Sequence, residues 1–417
     1  MTSSIAAPGA PALPFGPFVL DRLLGVGGTA EVFVAHRSED PDARFVVKRI
    51  RPELASNEEF ARRMELEAQI ASRAGHPNLI RFLEYGQVGQ CRYIVFEHVR
   101  GYALGRALEE ARRAGVPLDP PAGLVLARSL LGALSVMHGY VDASGKRRPV
   151  LHRDVTPNNI VLTLDGRPVL IDLGIAKDVL GPAITQIGKV IGTARYMSPE
   201  HKLNEFLDER TDVFSASVVL FEAFAGHPPW PKLAGAKELL RTVFDAPELD
   251  EDLTRRVPRE ILDVLVKGLS CDRADRYSDA AQMLVALEAT RAWSELEPSD
   301  DEPFAPVRRW IEAASLKPDE ELEDPVVRSA AATEAPLDPV RWTSDGRVAA
   351  EGKPSERPSQ PAPAQVLEVP PLPPARHDLA RTRDIRITAE IVPARRWPMW
   401  AAIVVAVLAI LALLLTR

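Results

Sequence analysis

Three short segments hold a fixed order in the middle of this 417-residue chain: His152-Arg153-Asp154 followed by Asn159, then Asp172-Leu173-Gly174, then Ser198-Pro199-Glu200. Each alone has an ordinary explanation, because Asp before Gly favours a turn and Ser-Pro-Glu opens a helix. The ordered set asks for more. Val169-Leu170-Ile171 is apolar throughout and reads as a buried strand that ends at Asp172. A fold that also brings the Asp154 loop to that strand end collects two carboxylates and an amide, hard oxygen donors suited to a metal ion, with Asp154 placed to accept a proton.

Upstream, Leu23-Leu24-Gly25-Val26-Gly27-Gly28-Thr29-Ala30-Glu31-Val32 lies between two strand-like runs, Phe18 to Leu24 and Glu31 to His36. Glycines let main-chain N–H groups approach phosphate oxygens without Cβ interference. Leu24, Gly25, Val26, Gly27, Gly28 and Val32 are therefore candidate nucleotide contacts, although an ordinary glycine turn explains the hairpin in isolation. In Phe45-Val46-Val47-Lys48-Arg49-Ile50 the strand period of two places Lys48 on the face of Val46 and Ile50. Phe60, Met64, Glu67 and Ala71 share the apolar stripe of a helix, so Glu67 is an inward carboxylate that needs a partner, and Lys48 is the candidate. Tyr93 to Phe96 is a short apolar strand running into Glu97-His98-Val99, a candidate hinge whose main chain faces an adenine edge.

With these segments in place the chain resembles a bacterial eukaryotic-like (Hanks-type) serine/threonine protein kinase over roughly two thirds of its length. The resemblance implies an α+β, two-lobed protein kinase fold: a small β-rich N-lobe from about Phe18 to Glu97, a helical C-lobe to about Thr290, and ATP in the cleft with Mg²⁺, or Mn²⁺ in its place. Lys48 and Glu67 are similar to the family's strand-three lysine and its helix-C partner. Asp154 matches the catalytic base, and Asn159 and Asp172 match the metal ligands. Gly192 to Glu200 resembles the P+1 loop, in which Thr193 is typical of Ser/Thr specificity. Glu200 and Arg276 match an ion pair of the C-lobe, and Asp212 matches the brace of the catalytic loop. Arg153 implies control by phosphorylation of the activation loop, with Thr185 as the autophosphorylation candidate. A phosphate there adds about −1.5 to −2 charges that Arg153 can pair.

Three positions depart from the family pattern: Ala30 at the third glycine, Leu173 where Phe is usual, and Thr156 where Ser/Thr kinases carry Lys. The missing lysine charge is expected to slow transfer unless Lys177 or Lys189 substitutes. Two rival readings follow, a pseudokinase scaffold and a small-molecule phosphotransferase on the same fold. Intact Lys48, Asp154, Asn159 and Asp172 argue against the first, and the complete run from Gly192 to Glu200 against the second.

Lys and Arg number 51 against 58 Asp and Glu, a formal net charge of −7, so no general attraction to nucleic acid is expected. The two cysteines, Cys91 and Cys271, lack neighbours at metal-ligand spacing and fit a reducing cytosol.

Residues 1–17 read as a disordered leader, 18–290 as the catalytic module, and 291–396 as a mostly disordered linker holding 16 of the 37 prolines. Within that linker Pro306 to Leu316 has the pattern of one short amphipathic helix. Pro370-Pro371-Leu372-Pro373-Pro374 favours polyproline II as a spacer or a docking motif. From Trp397 to Leu415 every residue but Pro398 is apolar. At about 1.5 Å per residue the run covers roughly 28 Å, near the thickness of a bilayer core. Residues 397–416 are therefore expected to span the inner (cytoplasmic) membrane as a tail anchor, with Arg395-Arg396 and the kinase module in the cytosol. Expected partners are protein substrates, the membrane and, through the span, a second copy.

Overall fold

Alternation along one strand organises the N-lobe. Asp40–Ile50 (β4) buries Val46 and Ile50 in one apolar cluster and Val47 in another, so its sheet is apolar on both faces. The computed structural model describes residues 12–142, 144–174, 194–230, 246–296, 301–316 and 364–366, all within the unit Met1–Leu372. Thr185, Thr193, Lys177, Lys189, the proline run at 370–374 and the apolar tail lie outside the described residues.

Around β4 are Leu13–Phe15 (β1), Phe18–Val26 (β2), Ala30–Arg37 (β3), Phe82–Val88 (β5), Cys91–Glu97 (β6) and Ala364–Val366 (β10), in the order β1-β2-β3-β4-β6-β5-β10. All neighbours are antiparallel. On the outer face Phe15 and Phe18 meet Tyr93 edge to face at 5.5 and 5.6 Å, and Arg37 and Arg49 cover Phe18 and Phe33, each at 4.9 Å. The inner face packs on Glu58–Arg73 (α1), whose first turn is capped by the Asn57 side chain accepting the Glu59 N–H at 2.9 Å. The leader is shorter than expected: Leu13–Phe15 pairs with β2, because burying Phe15 against Tyr93 offsets the ordering of three residues.

The C-lobe comprises Leu104–Ala114 (α2), Pro120–His138 (α3), Pro199–Lys202 (α4), Glu209–Ala225 (α5), Glu251–Arg256 (α6), Arg259–Gly268 (α7), Ala280–Glu288 (α8), Arg291–Leu296 (α9) and Ala305–Ala313 (α10). Among the described residues α3 is the helix long and apolar enough to cross a membrane, and it is a core helix, packed against α5, α8 and α10. A second sheet of Gly101–Ala103 (β7), Ile160–Thr163 (β8) and Pro168–Leu170 (β9), in that order, carries the functional loops at its ends.

Packed structure continues past residue 290. Trp293 of α9 and Val307, Trp310 and Ile311 of α10 are buried, the Trp310 ring N–H donates to Val116 O at 3.4 Å, and the fold runs to Leu316. The helix expected between Pro306 and Leu316 is present as α10, and its stripe at i, i+3 and i+4 docks on α3. The stripe was legible in the sequence, whereas its docking on α3 depends on a partner far along the chain.

Candidate active site

The segment between α3 and β8 is held from beneath by one carboxylate. Asp212, fully buried in the first turn of α5, accepts the main-chain N–H of His152 on Oδ2 and that of Arg153 on Oδ1, both at 2.8 Å. His138, ending α3, adds a third hydrogen bond to Oδ2 at 3.0 Å. The Ala280 N–H donates to His138 Nδ1 at 3.2 Å, so Nδ1 is the acceptor and Nε2 carries the proton facing Asp212. Burial on its own raises the Asp212 pKa, but the hydrogen bonds from the His138 ring and the His152 main chain outweigh it and hold the group below the usual carboxylate value.

On the loop so braced, Asn159 Nδ2 donates to Asp154 Oδ2 at 2.7 Å and to Asp154 O at 2.8 Å. Both amide-nitrogen bonds point at Asp154, which leaves Oδ1 as the polar atom of Asn159 for a cation. The Ile171 N–H donates to Asn159 O at 3.0 Å, tying this loop to the strand end that carries Asp172. Asp172 Oδ1 accepts the N–H of Leu173 at 2.8 Å and of Gly174 at 3.3 Å. Gly174 has φ +63°, and a Cβ there would stand 1.6 Å from His152 O, so the two loops approach too closely for any other residue. Leu173 is buried in the core, and apolar packing is preserved at this departure from the family pattern.

Lys48 and Glu67 meet as expected, Nζ to Oε1 at 2.5 Å, in a pair nearly closed to solvent. Burial works against the Lys48 ammonium, yet the charges of Glu67 and Asp172 outweigh it and raise its pKa. Burial pushes the Glu67 carboxyl up. One ammonium therefore faces two carboxylates, a local charge balance that a divalent cation would correct.

Above these groups the glycine hairpin joins β2 to β3, with the Gly27 N–H bonded to Ala30 O at 2.8 Å and Val32 opposite Gly25. Ala30 sits opposite Ile50, and its methyl is buried in the N-lobe core, which explains how the third glycine position accepts a side chain. Leu24 and Gly25 are buried, and Val26, Gly27, Gly28 and Val32 are half-buried. Glu97 ends β6 with its N–H on Arg81 O at 3.0 Å, and Val99 lies in the irregular segment before β7.

In the C-lobe, Glu200 and Arg276 form a buried two-pronged pair at 2.8 and 2.9 Å, and the Thr211 hydroxyl donates to Glu200 Oε1 at 2.9 Å. Burial on its own raises the Glu200 pKa, but Arg276 overcomes it and brings the value down to about 2. The segment before Glu200 is pinned to α5 by the Tyr196 hydroxyl on Glu222 at 2.6 Å and the Ser215 hydroxyl on Tyr196 O at 2.7 Å.

Two positioning groups escaped sequence reasoning. His138 and Asn78 are buried polar residues in ordinary surroundings, and neither stands in a motif. Asn78 Nδ2 donates to Pro168 O at 2.8 Å, while Leu170 N–H and Ile80 N–H bond Asn78 O and Leu170 O at 2.8 and 2.9 Å. The chain leaving α1 is thereby fastened to β9 and the Asp172 strand.

A glycine hairpin over a carboxylate-paired ammonium, opposite a braced Asp–Asn loop, is the arrangement of the two-lobed protein kinase fold. The protein kinase domain model matches residues 18–287, and the chain belongs to the protein kinase family. Tyrosine-protein kinase MasK of Myxococcus xanthus is 34% identical over 286 residues, covering 66% of this chain and 43% of that protein. Serine/threonine-protein kinases PknD and PknH of Mycobacterium tuberculosis are each 32% identical, over 284 and 318 residues. Those matches cover 67% and 76% of this chain and 40% and 48% of the relatives. The chain thus spans less than half the length of these curated relatives. The crystal structure of the Mycobacterium tuberculosis PknI kinase domain matches 66% of this chain and 97% of that one at 25% identity, with a TM-score of 0.47.

Proposed function

We propose that this chain is an active, membrane-tethered kinase that transfers the γ-phosphate of ATP to Ser or Thr hydroxyls of proteins. The observation that carries the reading is the formed Lys48–Glu67 pair with Asp172 in its field, because a scaffold has no need to hold an ammonium on a buried carboxylate within the field of a second one. The donor set fits Mg²⁺: Asn159 and Asp172 offer oxygen, and such a cation completes its shell with water and phosphate. When bound, the metal neutralises charge on the phosphates. Lys48 holds phosphate oxygens from one side, and the glycine hairpin covers them with main-chain N–H groups. Glu97 and Val99 receive the adenine edge. Asp154 accepts the proton of the incoming hydroxyl.

The relatives' names divide between tyrosine and serine/threonine specificity. Thr193 supports the latter, and Thr185 is the proposed site of autophosphorylation. The apolar run at 397–415 supports the tether, which keeps the kinase module at the cytosolic face of the membrane and offers a route to a homodimer.

The test is incorporation of labelled γ-phosphate by the detergent-solubilised full chain with Mg·ATP and a generic protein substrate, followed by phosphoamino-acid analysis. Label on Ser or Thr that disappears in Asp154→Asn and Lys48→Met supports the proposal, and label on Tyr overturns the specificity. Thr156 favours one second reading, a pseudokinase scaffold. The residue is buried at the position of the missing lysine. Absence of label together with retained ATP binding would establish that reading. On the active-kinase reading, Thr156→Lys restores a phosphate-facing charge and raises the rate by roughly tenfold. For the tether, a chain ended after residue 396 should leave the membrane fraction.

A further inference from the structure

The N-lobe sheet does not end at β5. Ala364–Val366, far along the proline-rich linker, pairs antiparallel with it in the register Ala364↔Val88, Gln365↔Gln87 and Val366↔Gly86. Without that strand β5 would be a sheet edge, with a row of unpaired N–H and C=O groups open to any passing strand. We propose that the outer edge of β5 is a strand-docking site, occupied in cis by the chain's own residues 364–366, and that the linker is thereby clipped to the N-lobe.

The sequence around the clip fits this role. Ala364 to Val369 is free of proline and bracketed by Pro363 and Pro370. Proline cannot donate into a ladder, so the brackets confine pairing to this window. Connectivity permits it without strain. The C-lobe cap ends at Leu316, where the Tyr102 hydroxyl donates to Leu316 O at 3.5 Å, and 47 residues separate it from Ala364. At about 3.3 Å per residue these reach up to roughly 150 Å, and a tethered strand meets its edge at an effective concentration near the millimolar range. Because β5 also packs on α1, the helix carrying Glu67, the clip buttresses the element that positions the Lys48 partner. One consequence rests on the membrane-tether reading. Only 30 residues then separate Val366 from Trp397, instead of the 80 that follow Leu316. The r.m.s. reach falls from roughly 50 Å to roughly 30 Å.

The test is amide hydrogen exchange of the full chain in detergent, where membrane attachment plays no part in the readout. The segment 82–88 is followed in the native chain, in Gln365→Pro/Val366→Pro, which removes an N–H of each strand parity, and in Ser355→Pro as control. The clip predicts exchange at Gly86 to Val88 faster by roughly tenfold or more in the double variant alone. Equal exchange in all three proteins overturns it. Protection in the native chain that rises with protein concentration also overturns it, by assigning the strand to a second copy.

Discussion

Asp212 Oδ1 accepts the main-chain N–H of Arg153 at 2.8 Å, and Arg153 is one of three non-glycine described residues with positive φ, at 61°. A left-handed residue of this kind costs on the order of 1–2 kcal/mol and persists only where its surroundings enforce it. Here the enforcement is a buried carboxylate that takes two consecutive N–H groups. The resulting turn presents the next residue, Asp154, towards Asn159.

Replacing Asp212 by Asn keeps the volume and removes the charge, and it sets an amide NH₂ against an N–H or a ring N–H. One donor in the group must go unpaired, at a cost of about 1–3 kcal/mol, and Arg153 is free to relax. Asp212→Asn is expected to lower kcat by roughly a hundredfold or more while the KM for ATP moves little, since the hairpin and hinge are untouched. Steady-state kinetics beside a urea melt check both parts. A loss confined to the KM for ATP would contradict the bracing role.

The Lys48–Glu67 pair separates stability from activity. Lys48→Met strands a buried carboxylate and is expected to cost about 3–5 kcal/mol as well as phosphotransfer. Lys48→Met/Glu67→Leu removes both charges. It should recover most of the stability and none of the activity, as read by thermal melting and labelled-phosphate transfer on the same samples.

Much of this site was legible in the sequence because its chemistry sits in short contiguous runs. The Lys48 face followed from a period of two and the Glu67 stripe from a period of 3.6, and the structure brings the two together. What stayed hidden depends on distant partners. His138 reads as the end of an apolar helix until Ala280 and Asp212 arrive on either side of its ring. Asn78 reads as a turn residue until β9 lies beside it. The module's start was missed for a different reason. Leu13–Phe15 is a short apolar pattern inside a proline-rich stretch that composition averaged away, whereas the stripe of Val307, Trp310 and Ile311 was legible as a helix and only its docking on α3, a distant partner, was not.

Acid should weaken the C-lobe through Glu200. Its pKa of about 2 in the folded chain lies below the ordinary value of 4.5, so the stabilisation is complete above about pH 4.5 and disappears as pH falls through 2. The shift corresponds to about 3 kcal/mol. Urea midpoints of the native chain are expected to fall across that window. Glu200→Gln should be less stable at neutral pH, because Arg276 is left buried without its partner, and its midpoints should fall less between pH 4.5 and 2. Parallel slopes for the two proteins would exclude Glu200 as the titrating group.

The helices packed after residue 290 should contribute to the stability of the C-lobe. α10 lays Val307, Trp310 and Ile311 on α3, and Gly166, at φ +90° in the turn between β8 and β9, abuts the chain at Phe304 and Arg308 so closely that a Cβ would stand 2.6 Å from Phe304 O. Ending the chain after residue 290 uncovers the apolar surface of α3 and leaves Val116 O without the Trp310 N–H. Ending it after 316 keeps both. The shorter protein is expected to melt lower than the longer one and to bind a hydrophobic dye. Trp310→Ala in the longer protein should cost about 3–5 kcal/mol, the usual range for emptying a buried aromatic site. Equal melting temperatures for chains ended at 290 and at 316 would make α9 and α10 dispensable to the kinase fold.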